Sequence, residues 1–135
     1  MIVLKTSADL KKMQKAGRIS AQALRVGVEA VRPGITTGEI DKLIYKFIKS
    51  QGATPSFLGY GGFPGSACIS VNNEVIHGIP GKRVIQEGDI VSIDVGAMID
   101  GFHGDNAFTV GAGKISPEAQ ALLDATQKSL MLGIE

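Results

Sequence analysis

One segment constrains this chain more than any other: Val91-Ser92-Ile93-Asp94-Val95-Gly96-Ala97-Met98-Ile99-Asp100-Gly101-Phe102-His103-Gly104-Asp105. Asp100-Gly101 favours a two-residue type I′ turn, whose central positions both need positive φ. Such a turn puts Ile99 opposite Phe102, Asp94 opposite Ala107 and Asp105 opposite Gly96. Side chains alternate faces along a strand, so the two aspartates share a face as diagonal neighbours, about 5–8 Å apart at Cβ. Ile90, Val91, Ile93, Val95, Ala97, Met98 and Ile99 make the surrounding strand apolar on both faces. Two carboxylates so placed repel and lose solvent, and they require protons, partners or cations. Bridging carboxylates at this spacing suit a two-metal centre with ions about 3.5–4 Å apart. A proton-sharing aspartyl dyad is the rival chemistry, but it normally wants an Asp-Thr/Ser-Gly loop, whereas Asp94-Val95-Gly96 and Asp105-Asn106-Ala107 stand here. A glycosidase pair fits the geometry but has no aromatic sugar platform. Asp89 and Asp100 read as turn residues.

Around the hairpin the apolar period changes twice. Thr6 with Asp9 forms a capping-box pattern that opens a long helix striped by Leu10, Met13, Ala16, Ile19, Leu24 and Val28, stopped at Pro33-Gly34. A second box, Thr36 with Glu39, opens a helix carrying Ile40, Leu43, Ile44, Phe47 and Ile48, with Gly52 as its stop. A glycine-rich stretch, residues 57–66, leads into a strand over Cys68–Val71. Asn72-Asn73 predicts a turn and Glu74–His77 a returning strand. Ser116-Pro117-Glu118 predicts the start of a third helix bearing Ala119, Leu122, Leu123 and Leu130. Two helices, about four strands and a helix indicate an α+β class with a largely antiparallel sheet and covering helices.

Composition narrows the function classes. The chain has 135 residues, which fits one modest domain. A net charge of +1 argues against a nucleic-acid partner. The single Cys68 excludes an internal disulfide and fits a reducing compartment. Its apolar neighbours Ala67 and Ile69 mark it as a small buried hydrophobe rather than a nucleophile. The opening Met1-Ile2-Val3-Leu4 is too short for a signal peptide, and no apolar run approaches the roughly 20 residues that span a bilayer. The expectation is a soluble cytoplasmic protein with no membrane partner. Lys11, Lys12, Lys15, Arg18 and Arg25 read as a solvated helix face. The glycines do not make a phosphate loop, since Pro64 stands where Gly59-x-Gly61 would need its third glycine. Phe57, Tyr60 and Phe63 among those glycines suit an apolar pocket wall, or plain core packing. His77 is a functional candidate beside the structural reading of a lone histidine. His103 shares the face of Asp105 by parity and is a candidate ligand or a support for one.

The stretches G-Y-G-G-F-P-G-S-A-C-I-S-V-N-N-E-V-I-H-G-I-P, G-D-I-V-S-I-D-V-G and D-G-F-H-G-D together resemble the type I methionine aminopeptidases of the bacterial kind, from K-T-S-A-D-L-K-K-M to the final helix. The resemblance implies a pita-bread fold, two similar α+β halves facing each other across a dinuclear metal site, with residues 1–135 as the N-terminal half of the catalytic domain. It implies that Asp94 and Asp105 are metal ligands, Asp105 bridging two divalent ions (Co, Mn, Fe or Zn). It implies that His77 contacts substrate and stabilises the reaction intermediate. Tyr60, Phe63 and Cys68, with Phe57, fall on the wall of the methionine side-chain pocket. Gly61 stands where some relatives carry a histidine. The substrate implied is the N-terminus of a nascent polypeptide. The family's remaining ligands, a histidine and two glutamates, belong to a second half outside these residues, so this half by itself is expected to be inactive, to bind metal weakly, and to pair with that half or with itself. The alternative is a non-catalytic half-domain serving in binding or assembly, for instance as a homodimer.

Overall fold

The computed structural model describes residues 2–135; Met1, the first residue of the opening apolar run, lies outside them. Both capping boxes form. Thr6 accepts from the Asp9 amide and Asp9 from the Thr6 amide at the start of α1 (Ser7–Ala30), and Thr36 and Glu39 do the same for α2 (Thr37–Ser50). Val31, leading into Pro33-Gly34, ends α1; Gly52, at φ 71°, follows the end of α2. Both helices lie on one face of an antiparallel sheet made of β1 (Thr54–Pro55), β2 (Ala67–Val71), β3 (Ile90–Ile99) and β4 (Phe102–Gly111). β3 is central: β1 and β2 pair along one edge and β4 along the other. The hairpin register is as the turn dictates, with Asp94 on Ala107, Asp105 on Gly96 and Ile99 on Phe102. Asp100 and Gly101 take φ of 53° and 77°, both left-handed, as a type I′ turn requires.

The core is the layer between helices and sheet. Ile40, Ile44 and Ile48 of α2 meet Ile69, Val71, Ile93 and Val95, all essentially inaccessible. α1 approaches through small residues: Ala16, Ile19, Ser20, Ala23, Gly27 and Ala30 are its buried positions. A Cβ on Gly27 would fall 2.7 Å from Ile44 Cδ1, so glycine here sets the closeness of α1 to α2.

Two expectations need correction. Leu10 and Met13 are exposed, because α1 begins beyond the edge of the sheet and its stripe starts only at Ala16. Glu74–His77 is not a strand. The Val71 amide donates to the Glu74 carboxylate, Asn72 turns at φ 56°, and on the edge of β2 away from β3 it is the Gly78 carbonyl that takes the Ile69 amide. Val75 and Ile76 are left exposed. The basic face of α1 is solvated as expected, with Lys11, Lys12, Lys15, Arg18 and Arg25 all exposed; Lys15 pairs with Asp100 at 2.8 Å and Lys12 lies 5.7 Å from the centre of the Phe102 ring. The third helix, α3 (Pro117–Ile134), forms with Ser116 capping the Ala119 amide, but buries none of its residues. Among the described residues no helix is long and apolar enough to cross a membrane.

Candidate active site

The sheet face turned away from α1 and α2 carries the site. Antiparallel pairing sets Cys68, Asp94 and Ala107 in one row and Gly96 with Asp105 in the next, so both carboxylates and the thiol share that face. Gly96 has a local purpose. A Cβ there would lie 2.6 Å from Phe57 Cε1 and 2.7 Å from Ser56 Cβ, so its absence lets the Phe57 ring settle beside the aspartates.

Two loops close over this face and are tied to α2. The loop before β2 is held by Asp41, whose Oδ1 accepts the Ser66 amide at 2.7 Å and the Ala67 amide at 2.9 Å. Burial nevertheless pushes the Asp41 carboxyl up, against those two bonds. The loop that carries His77 is held at both ends of its turn. Gly78 donates to Ser70 Oγ at 3.0 Å and accepts from the Ile69 amide at 2.9 Å, while Gly81 donates to Thr37 Oγ1 and accepts from the Gly38 amide. Any side chain on Gly78 would strike the Ile69 carbonyl, so this crossing is open to glycine alone. His77 itself sits at φ 57°, a left-handed conformation uncommon outside glycine and costly enough to mark a constrained position.

Between these loops and the sheet lies a cavity of about 600 Å³. Phe57, Tyr60, Phe63 and Cys68 line it, and His77, Asp94 and Asp105 bring the polar groups. Seven of the eight candidates read from the sequence therefore converge. His103 does not: its Nδ1 bonds to Ser56 Oγ at 2.9 Å, and it is not among the lining residues. Pro64 and Ile79 line the cavity without having been singled out; Ile79 lies two residues after His77 in the same loop, a proximity that could have indicated it.

The electrostatics turn on Asp94. It is half-buried, and its Oδ1 is enclosed without a hydrogen-bond partner among the described residues. Burial first, and then the Asp105 carboxylate, push its carboxyl up to about 6, with His77 opposing. Asp105, by contrast, is exposed, so the expectation that both faces of the strand exclude solvent fails at β4, whose outer edge is unpaired among the described residues. The Cys68 thiol is buried and pushed up to about 11, chiefly by burial and then by the two aspartates, which keeps it a neutral thiol. A cation answers the arrangement: it would give the orphaned Asp94 oxygen a partner and cancel the repulsion from Asp105, and hard carboxylate oxygens suit divalent ions. The described residues contain no cluster of three or more histidine, cysteine or acidic side chains around one point, so they offer part of a coordination shell.

Residues 11–135 match metallopeptidase family M24, and the chain belongs to that family. Over 135 residues it is 50% identical to methionine aminopeptidase 1 of Bacillus subtilis (strain 168), covering 100% of this chain and 54% of that protein. It is 53% identical to methionine aminopeptidase of Clostridium perfringens (strain 13 / Type A), with the same shares. The crystal structure of methionine aminopeptidase from Rickettsia prowazekii superposes with a TM-score of 0.97 at 38% identity, over 100% of this chain and 54% of that one. The architecture is therefore that of the pita-bread family, and the chain spans about half the length of the curated relatives it matches.

Proposed function

We propose that residues 1–135 are the N-terminal half of a methionine aminopeptidase catalytic domain, which removes the N-terminal methionine of polypeptides by metal-dependent hydrolysis. The observation that carries this reading is an aspartate with an orphaned oxygen, Asp94, lining a largely apolar cavity together with a second carboxylate, Asp105. Asp94 and Asp105 would hold divalent cations, Co, Mn, Fe or Zn, which when bound supply Lewis acidity and lower the pKa of water. Phe57, Tyr60, Phe63 and Cys68 would enclose an unbranched, polarisable thioether side chain and exclude water from it. His77, fixed by its left-handed backbone and by the Gly78 crossing, would donate a hydrogen bond to the oxygen on which charge develops. The general base and the remaining ligands would come from the second half of the domain. The substrate is then the N-terminus of a nascent chain, and the second half is the first partner.

The test is methionine release from a Met-Gly-Met peptide with Mn²⁺ or Co²⁺ present. The chain alone is expected to release none. Adding the part of the Bacillus subtilis relative that lies beyond the matched region should restore release, sensitive to chelator and to His77→Ala. Turnover by the pure chain would overturn the half-domain reading and favour a homodimer that builds its own site. A binding or assembly role is the second reading, and α3 favours it: Leu122, Leu130, Met131 and Leu132 lie exposed on a helix with no fully buried residue.

A further inference from the structure

We infer that Asn106, with Ser20 and the Gly17 carbonyl, is a positioning residue that sets where Asp105 stands; this rests on the reading that Asp94 and Asp105 hold cations. Among the described residues, β4 is held to the sheet along one edge, by β3. What fixes it otherwise is α1, through the residues that alternate with the site face. Phe102 lies under Lys12, Gly104 is seated on the Ala16–Gly17 backbone so closely that a Cβ would collide with it, and the Asn106 amide donates to Ser20 Oγ at 2.5 Å and to the Gly17 carbonyl at 3.4 Å. Asp105 is flanked by two of these anchors and projects from the opposite face.

The anchors differ in kind. Ala16, Gly17, Ser20 and Gly104 present a smooth, small-residue seam along which a helix can slide over a strand at little steric cost. Of the contacts that β4 itself makes with α1, only the Asn106 bonds are directional; the Lys15–Asp100 pair ties α1 to the turn, where both side chains are exposed. Ser20 is fully buried and its hydroxyl donates in turn to the Gly17 carbonyl at 3.0 Å, so the three groups satisfy one another in a single register. A carboxamide in a half-buried seam costs free energy unless its bonds are made, and so it selects the register in which they are. Asp94 needs no such device, since β3 is paired on both edges. Asp105 lies on the less tethered strand and obtains its position from α1.

The test compares Asn106→Ala and Ser20→Ala with a control, Ile19→Val, which weakens the same helix in the core without touching the seam. Calorimetry with Mn²⁺, on each chain at a temperature where it is folded, should show Asn106→Ala weakened by about tenfold or more. Ser20→Ala should shift in the same direction, and Ile19→Val should match the parent chain. Amide exchange should rise in Asn106→Ala over residues 102–106 relative to β2. Affinity as in Ile19→Val, or unchanged protection of β4, would overturn the proposal. A parent chain that binds no Mn²⁺ would instead contradict the cation reading, and the exchange comparison would then decide the role of Asn106.

Discussion

Asp94 and Asp105 stand on neighbouring strands one row apart, the first half-buried with an enclosed unpartnered oxygen, the second open to solvent. That asymmetry makes Asp94 the group whose protonation the fold controls. Its folded pKa of about 6 lies above the unfolded carboxylate range of about 3.9. The folded metal-free chain therefore binds more protons than the unfolded chain between those values, and stability falls as pH rises through that window. Below pH 4 the contribution is fully present; above 6 it is gone. Asp94→Asn should remove it. Denaturant midpoints from pH 3.5 to 7 on both proteins check this, and a difference curve that rises with pH would contradict it. The comparison with Asp94→Asn matters because Asp9 and Glu39, both lowered by their capping bonds, contribute with the opposite sign.

Asp41 should be the most costly single surface-proximal carboxylate to lose. It satisfies two backbone amides at the root of the cavity wall, and Asp41→Ala leaves both unpaired, at a cost of roughly 2–4 kcal/mol. Asp41→Asn keeps an acceptor oxygen and should cost less than half as much. Urea unfolding of the two variants distinguishes them; equal losses would mean that charge, not hydrogen bonding, dominates.

Gly78→Ala should destabilise the chain by about 1–3 kcal/mol, because the added methyl meets the Ile69 carbonyl and the loop must lift from β2. The effect should appear in amide exchange at Ile69, whose hydrogen donates to the Gly78 carbonyl. Unchanged protection there would show that the His77 loop is not held as described.

How much of this was legible beforehand depended on whether a signal was local. The Asp100-Gly101 turn fixed the pairing of β3 and β4, and with it the shared face of Asp94 and Asp105, since a two-residue turn leaves no slack in register. The boxes at Thr6 and Thr36 placed both helix starts for the same reason. Glu74–His77 misled because Val75 and Ile76 are good strand residues, whereas the Glu74 carboxylate takes the Val71 amide and the free edge of β2 is met at Ile69 by the Gly78 carbonyl. Leu10 and Met13 misled because a periodic stripe says nothing of where the sheet beneath it ends. His103 has the right parity but is drawn to Ser56, a residue 47 positions away. The Asn106–Ser20 bond spans 86 positions and left no trace in local pattern.

The exposed apolar side chains of α3, together with Phe108 on β4, should drive self-association. Contiguous apolar patches beyond a few hundred Å² are unusual on monomers. Sedimentation should show dimers or larger species, and the melting temperature should rise with protein concentration. A compact monomer with a concentration-independent transition would show that α3 needs no cover.

Whether the two aspartates are cation ligands is tested most directly by calorimetric titration of the chain and its Asp105→Asn variant with Mn²⁺. Weak binding is expected, because the described residues offer two carboxylates and no third ligand beside them, and Asp105→Asn should reduce it further. Tight uptake of two ions per chain, unaffected by Asp105→Asn, would contradict the assignment.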